Sequence, residues 1–123
     1  MTKNIEKKLP ACPIETVISM IGNKWKFLII RDLLDGKKRF GELKSETGAS
    51  QKSLTIHLRE LEEEGILTRQ SFPTVPPKVE YTLTDIGYSL APVLEVMAQW
   101  GTDYKEYCKL KQKIEKQKKQ KNK

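Results

Sequence analysis

Ser50, Gln51, Lys52, Thr55, Ile56 and Arg59 have the types and spacing to read the edges of DNA bases. Leu54, Leu58 and Leu61 recur at i, i+4 and i+7, which makes one buried stripe on a helix. With that stripe inward, Lys52, Ile56, Arg59 and Glu63 point the opposite way, and Thr55 lies on the flank. The chemistry of such a face is direct readout. Glutamine pairs with adenine, lysine or arginine with guanine, and an isoleucine side chain meets the thymine methyl. Recognition helices touch bases with their N-terminal half, and here that half is cationic or polar. Glu62, Glu63 and Glu64 fall in the last two turns, away from phosphate. The plainer reading is the solvated face of an amphipathic helix, and for an isolated helix it is the commoner one. The segment that follows tips the balance.

A second reactive candidate is Cys12, directly before Pro13. A thiolate at a helix N-cap meets the positive end of the helix dipole, and Lys7 and Lys8 are near in sequence, while Glu15 opposes. The alternative is a small buried hydrophobe. The residues alone leave these two readings even. Cys108 is the second thiol, and His57 is the single histidine. No CxxC or HxxxH spacing suggests a metal site. Neither a glycine-rich phosphate loop nor a nucleophile–base pair is present, so no enzyme and no cofactor is expected. His57 sits between the inward and outward faces, suited to packing or to a phosphate contact.

Several elements must position these groups. Pro13 opens a first helix with Ile14, Val17, Ile18 and Ile21 in period, stopped by Gly22. A second runs from about Asn23 or Lys24 to Leu34, with Trp25, Leu28, Ile29 and Leu33 on one face and Gly36 as its close. Lys37 to Arg39 is a link or a short strand. Phe40 to Thr47 is a third helix with Phe40 and Leu43 inward, and Gly48 ends it. Ser50 caps a fourth helix that Gly65 terminates, so helices three and four form a helix-turn-helix. Leu67 to Phe72 and Val79 to Leu83 read as strands around a proline-rich turn, Pro73 to Pro77. A hairpin directly after a helix-turn-helix is a wing, with Lys78 at its tip and Arg69 on the strand leading there. Thr84 caps a last long helix carrying Ile86, Leu90, Val93, Leu94, Met97, Trp100, Tyr104, Tyr107 and Ile114, which Pro92 must kink or divide. The fold class is therefore mainly α with a small β-hairpin: a winged helix-turn-helix with a long C-terminal dimerisation helix. Residues 1–9 are expected to be a flexible N-terminus, 10–114 the DNA-binding and dimerisation domain, and 115–123 a basic, disordered tail.

The chain has 123 residues and a formal net charge of +7. Residues 1–104 carry 14 Lys or Arg against 14 Asp or Glu, and residues 105–123 carry 9 Lys against 2 Glu. The whole excess thus lies in the last 19 residues, and the DNA-reading body is neutral. No apolar run approaches the roughly 18 residues that span a bilayer, and no secretory leader is expected. Two cysteines are too few for a disulfide scaffold, which makes the cytoplasm the expected compartment, and without a long apolar run no membrane partner is expected.

The sequence resembles the HxlR-type winged-helix transcriptional regulators of bacteria over about Cys12 to Trp100. The resemblance rests on Cys12-Pro13-Ile14, Ile21-Gly22-Asn23-Lys24-Trp25, Arg39-Phe40-Gly41-Glu42-Leu43 and Ser50-Gln51-Lys52. It continues through Leu58-Arg59-Glu60-Leu61 to Gly65, then Val75-Pro76-Pro77-Lys78-Val79-Glu80-Tyr81 and Leu83-Thr84-Asp85-Ile86-Gly87. It implies a homodimer, paired through the first and last helices, on a two-fold double-stranded operator. It also adds weight to Cys12 as a sensor, because several such regulators sense oxidants, quinones or aldehydes through a cysteine at this motif. An electrophile or a small molecule is then the candidate signal.

The candidate DNA contacts are Arg39, Ser50, Gln51, Lys52, Thr55, Ile56, Arg59 and Lys78. Lysine at position 78, where such proteins usually carry arginine, keeps the charge and loses bidentate pairing. The candidate dimer residues are Ile14, Ile18, Ile21, Met97, Trp100, Tyr104 and Tyr107, because one small winged domain cannot bury them all. Cys12 and Cys108 are the redox candidates, and a bridge between Cys12 of one subunit and Cys108 of another is one arrangement they permit. Two other readings compete: a winged-helix protein-interaction module, and a nonspecific DNA-binding protein driven by the lysine tail.

Overall fold

The computed structural model describes residues 9–121. Most of the expected flexible N-terminus, residues 1–8, and the last two residues lie outside that range. Two compact units divide the chain between Ala91 and Pro92.

Among the described residues, the first unit holds five helices and a small sheet. Helix α1 spans Pro13–Ile21, α2 Lys24–Leu33, α3 Phe40–Thr47, α4 Gln51–Glu63 and α5 Asp85–Tyr88, with strands β1 Lys38–Arg39, β2 Leu67–Phe72 and β3 Lys78–Leu83. Local chemistry accounts for the boundaries. Asn23 caps α2 by accepting from the backbone N–H groups of Trp25 and Lys26. Helix α2 drives the core, since Ile29, Ile30 and Leu33 are fully buried. Leu43 of α3, Leu54 and Leu61 of α4, and Leu67 of β2 join them, with Leu58 almost as deep. The three-leucine stripe of α4 therefore faces inward as its period requires.

The sheet is antiparallel with order β1-β3-β2. Of the two readings of Lys37 to Arg39, link or short strand, the strand forms: β1 joins the predicted hairpin and pairs Lys38 with Tyr81 and Arg39 with Glu80. Two residues are too short for alternation to signal a strand. The β2–β3 turn contains a cis Val75–Pro76 bond. At the base of the wing, the Thr84 hydroxyl donates to the Gly65 carbonyl at 2.6 Å. Gly87 packs so close that a Cβ there would lie 2.3 Å from the Ile66 carbonyl oxygen.

One long helix from Thr84 is not what forms. Thr84 caps the four-residue α5, accepting from the Gly87 N–H, and the long helix α6 is Ala91–Lys121. Pro92 is the second residue of α6, where its missing N–H breaks no intrahelical bond, so it divides and does not kink. The expected order also ends at Ile114, whereas α6 continues to Lys121. The added residues are Glu, Lys and Gln, all good helix formers, and extending an existing helix costs no new nucleus.

Ion pairs tie the first unit together at a place the sequence leaves blank. Lys26 of α2 is 6% exposed, and its Nζ lies 3.1 Å from Glu60 Oε2 and bonds Glu64 Oε1. The acidic end of α4 is therefore the counter-charge of a buried lysine.

Candidate nucleic-acid interface

The helix-turn-helix is held by its own side chains. Gly48 ends α3 with φ +73°, a conformation that favours glycine. Thr47 is buried; its hydroxyl donates to the Leu43 carbonyl at 2.7 Å and accepts from the Ala49 N–H at 3.2 Å. Ala49 is buried behind it. Ser50 then caps α4, its Oγ accepting from the Ser53 N–H at 3.1 Å. Sequence reasoning found Gly48 and Ser50 but missed Thr47, whose role depends on burial.

Gln51, Lys52, Ile56 and Arg59 are exposed on α4, together with Ser50 at its cap. Thr55 is half-buried, and its hydroxyl donates to the Gln51 carbonyl at 2.7 Å, leaving acceptor capacity outward. Neither Lys52 nor Arg59 has a carboxylate partner among the described residues. Arg39 is exposed as the N-cap of α3, with its backbone N–H donating to Glu42.

The wing differs from expectation in detail. Lys78 begins β3 and is engaged: its Nζ lies 3.4 Å from Glu80 Oε2 and 5.1 Å from the Phe72 ring centroid. Lys37 approaches the same Glu80 at 3.7 Å. The exposed tip is instead the Pro73–Pro77 turn, with Val75 fully exposed. Lys38 bonds Glu46 at 3.0 Å, and that hydrogen bond raises its pKa above the usual lysine value. His57 is half-buried; its Nδ1 lies 3.8 Å from Glu60 Oε1 and has no hydrogen-bond partner among the described residues.

Cys12 is an exposed free thiol at the N-cap of α1, and Cys108 is a free, half-buried thiol on α6. Helix α1 leaves Ile14 and Ile18 open, whereas Ile21 belongs to the core at 7% exposure. Ile21, the last residue of α1, therefore offers little surface of its own to a partner.

Within the second unit, α6 shows Met97, Trp100, Tyr104 and Tyr107 exposed. Trp100 stacks on Tyr104 at 5.2 Å between centroids, and Tyr104 on Tyr107 at 6.0 Å. Leu110 and Val96, which sequence reasoning passed over, are exposed as well. Leu110 extends the stripe to Ile114 at helical spacing.

Among the described residues, no cluster of three or more His, Cys, Asp or Glu could hold a metal ion. No helix there is long and apolar enough to cross a membrane.

Comparison with known proteins adds to this geometry. A family model described as HxlR-like helix-turn-helix matches residues 20–109. The HTH-type transcriptional regulator YdeP of Bacillus subtilis is 48% identical over 96 residues, covering 77% of this chain and 75% of that protein. The redox regulator HypR in its oxidized form is 44% identical with a TM-score of 0.69, covering 75% of this chain and 96% of that one. The reduced form of the transcriptional regulator YodB from B. subtilis is 43% identical with a TM-score of 0.66, covering 74% and 91%.

Proposed function

The chain belongs to the HxlR-like helix-turn-helix family of transcriptional regulators, and we propose that it binds a two-fold operator in the cytoplasm as a homodimer. The observation that carries this reading is the outward face of α4. Ser50, Gln51, Lys52, Ile56 and Arg59 are exposed at the N-terminal half of a capped helix, and its two cations lack carboxylate partners among the described residues. Thr55 flanks that face, Arg39 lies at the start of α3, and the wing brings Lys78, whose bond to Glu80 must yield before it meets phosphate. Residues 10–114 act as the DNA-binding and dimerisation domain. The exposed residues Ile14 and Ile18 of α1, and the α6 stripe Met97, Trp100, Tyr104 and Tyr107, supply the apolar surface for a second copy. Pairing would set two recognition helices about one DNA turn apart, ~34–36 Å.

Cys12, exposed at a helix N-cap, is the proposed sensor of oxidants or electrophiles, with Cys108 as a partner thiol. Kinship with a redox regulator supports this reading.

Genomic footprinting of the native protein yields the operator, and binding is then measured on it. Lys52→Ala and Arg59→Ala should each weaken operator binding. Gln51→Ala should relax specificity at one base position by about 1–3 kcal/mol. Unchanged affinity in all three would refute this readout face. A protein that bound random DNA as tightly as its operator would be a nonspecific binder instead.

A further inference from the structure

Between α4 and the β2–β3 hairpin lies a cleft of about 310 Å³ that the readout face leaves unexplained. One wall is a stripe of α4: Thr55, Arg59 and Glu62 at i, i+4 and i+7, with Leu58 behind. The other wall is Arg69 and Tyr81, directly opposite one another in the β2–β3 register. Tyr81 is 7% exposed overall, and its hydroxyl, which has no hydrogen-bond partner among the described residues, is not one of the buried unpartnered polar atoms, so it stays open to solvent where Tyr81 lines the cleft. Arg59 and Arg69 likewise lack a carboxylate partner there. Two free guanidiniums and a free phenol O–H line one cleft, and every one of these groups is a donor. Guanidinium forks match carboxylate and phosphate oxygens. The volume falls at the lower end of small-molecule sites, and Leu58 adds an apolar wall.

We propose that this cleft binds an oxyanion, a phosphate or a carboxylate, held by Arg59, Arg69 and the Tyr81 hydroxyl. Glu62 opposes an anion at its end of the wall, which seats the ligand toward Thr55. The oxyanion has two sources: a phosphate of the DNA backbone or a free small anion. Arg59 also belongs to the readout face, so a free anion seated here competes with DNA. That consequence rests on the DNA-binding reading above; the site itself does not.

The test has two arms. In the first, DNA-free protein is titrated with inorganic phosphate and with benzoate at constant ionic strength, following the Nε–H signals of Arg59 and Arg69 by NMR. Saturable shifts at both arginines are expected. Arg69→Ala should weaken binding about tenfold, read at Arg59, as the loss of a charge-assisted hydrogen bond predicts. Tyr81→Phe should weaken it less, Glu62→Gln should strengthen it, and Lys44→Ala should change nothing. In the second arm, Arg69→Ala is compared with wild type for the salt dependence of DNA binding. A slope reduced by about one unit assigns the cleft to a backbone phosphate. An unchanged slope with saturable anion binding assigns it to a free anion. Linear, unsaturable shifts in every variant, with no change of slope, overturn the site. Were the protein to bind no DNA, the first arm would still decide the cleft.

Discussion

Lys26 and Cys12 put a reactive group in opposite surroundings, and each answers to a different measurement. Burial lowers the Lys26 pKa, but hydrogen bonds to Glu64 and Glu60, with their charge, more than offset this and hold it above 10.5. A folded-state pKa raised above the unfolded value stabilises fully below the unfolded pKa, near 10.5, and that contribution is lost as pH rises through the folded value. Lys26→Met keeps the apolar stem and removes the charge. We expect it to cost about 1–3 kcal/mol in urea unfolding at pH 7, because Glu60 and Glu64 are partly exposed and can resolvate. The gap between wild type and variant should narrow in strongly alkaline solution, and a gap constant with pH would mean the charge contributes nothing. Cys12 is open to solvent, with no side-chain cap bond to hold it. If its thiol is the sensor, diamide should change operator binding by wild type and leave Cys12→Ser unmoved. Equal responses would return Cys12 to a structural role.

At the scale of elements, the turn between α3 and α4 has the most to lose from a small change. Gly48 sits at φ +73° with open space where a Cβ would go, so a substitution there is a matter of backbone strain and not of packing. Gly48→Ala should destabilise by about 1–2 kcal/mol, and Gly48→Asn by less, since asparagine tolerates this region better. Thermal unfolding of the two variants checks the order; equal losses would mean that the turn relaxes. This turn was legible in the sequence because its signals are local: a glycine stop, a serine cap and three leucines at helical spacing. Elements defined by partners were harder to read. Strand β1 exists through two pairings with β3, and Lys26 meets Glu64 across 38 residues of chain. The cleft facing α4 depends on Arg69 lying opposite Tyr81, which a register fixes and a residue pattern does not. Pro92 was half legible, since a proline that interrupts a helical pattern looks the same whether it kinks one helix or starts another. The helix beyond Ile114 was illegible to a periodicity argument because no apolar residue marks its face.

For the whole molecule, the decisive quantity is where the net charge of +7 resides. It belongs entirely to residues 105–123, and most of those residues extend α6 as an exposed basic helix through Lys121. The readout face of α4 lies in the first unit, whose residues 9–91 contribute none of that excess. On the proposed reading, specificity and nonspecific attraction are thus carried by different parts of the chain. Deleting residues 115–123 removes five lysines and one glutamate from the chain and leaves the aromatic stripe of Trp100, Tyr104 and Tyr107 intact. Lysines that neutralise phosphates release counterions, so their loss should lower overall affinity and flatten the dependence of log K on log salt. The base contacts proposed for Gln51, Lys52 and Arg59 are untouched, so the ratio of operator to random DNA should hold. Fluorescence anisotropy on both DNAs across a salt series reads the two effects separately. A collapse of the ratio would show that the basic helix takes part in sequence recognition, and an unchanged salt slope would show that it never reaches the phosphates.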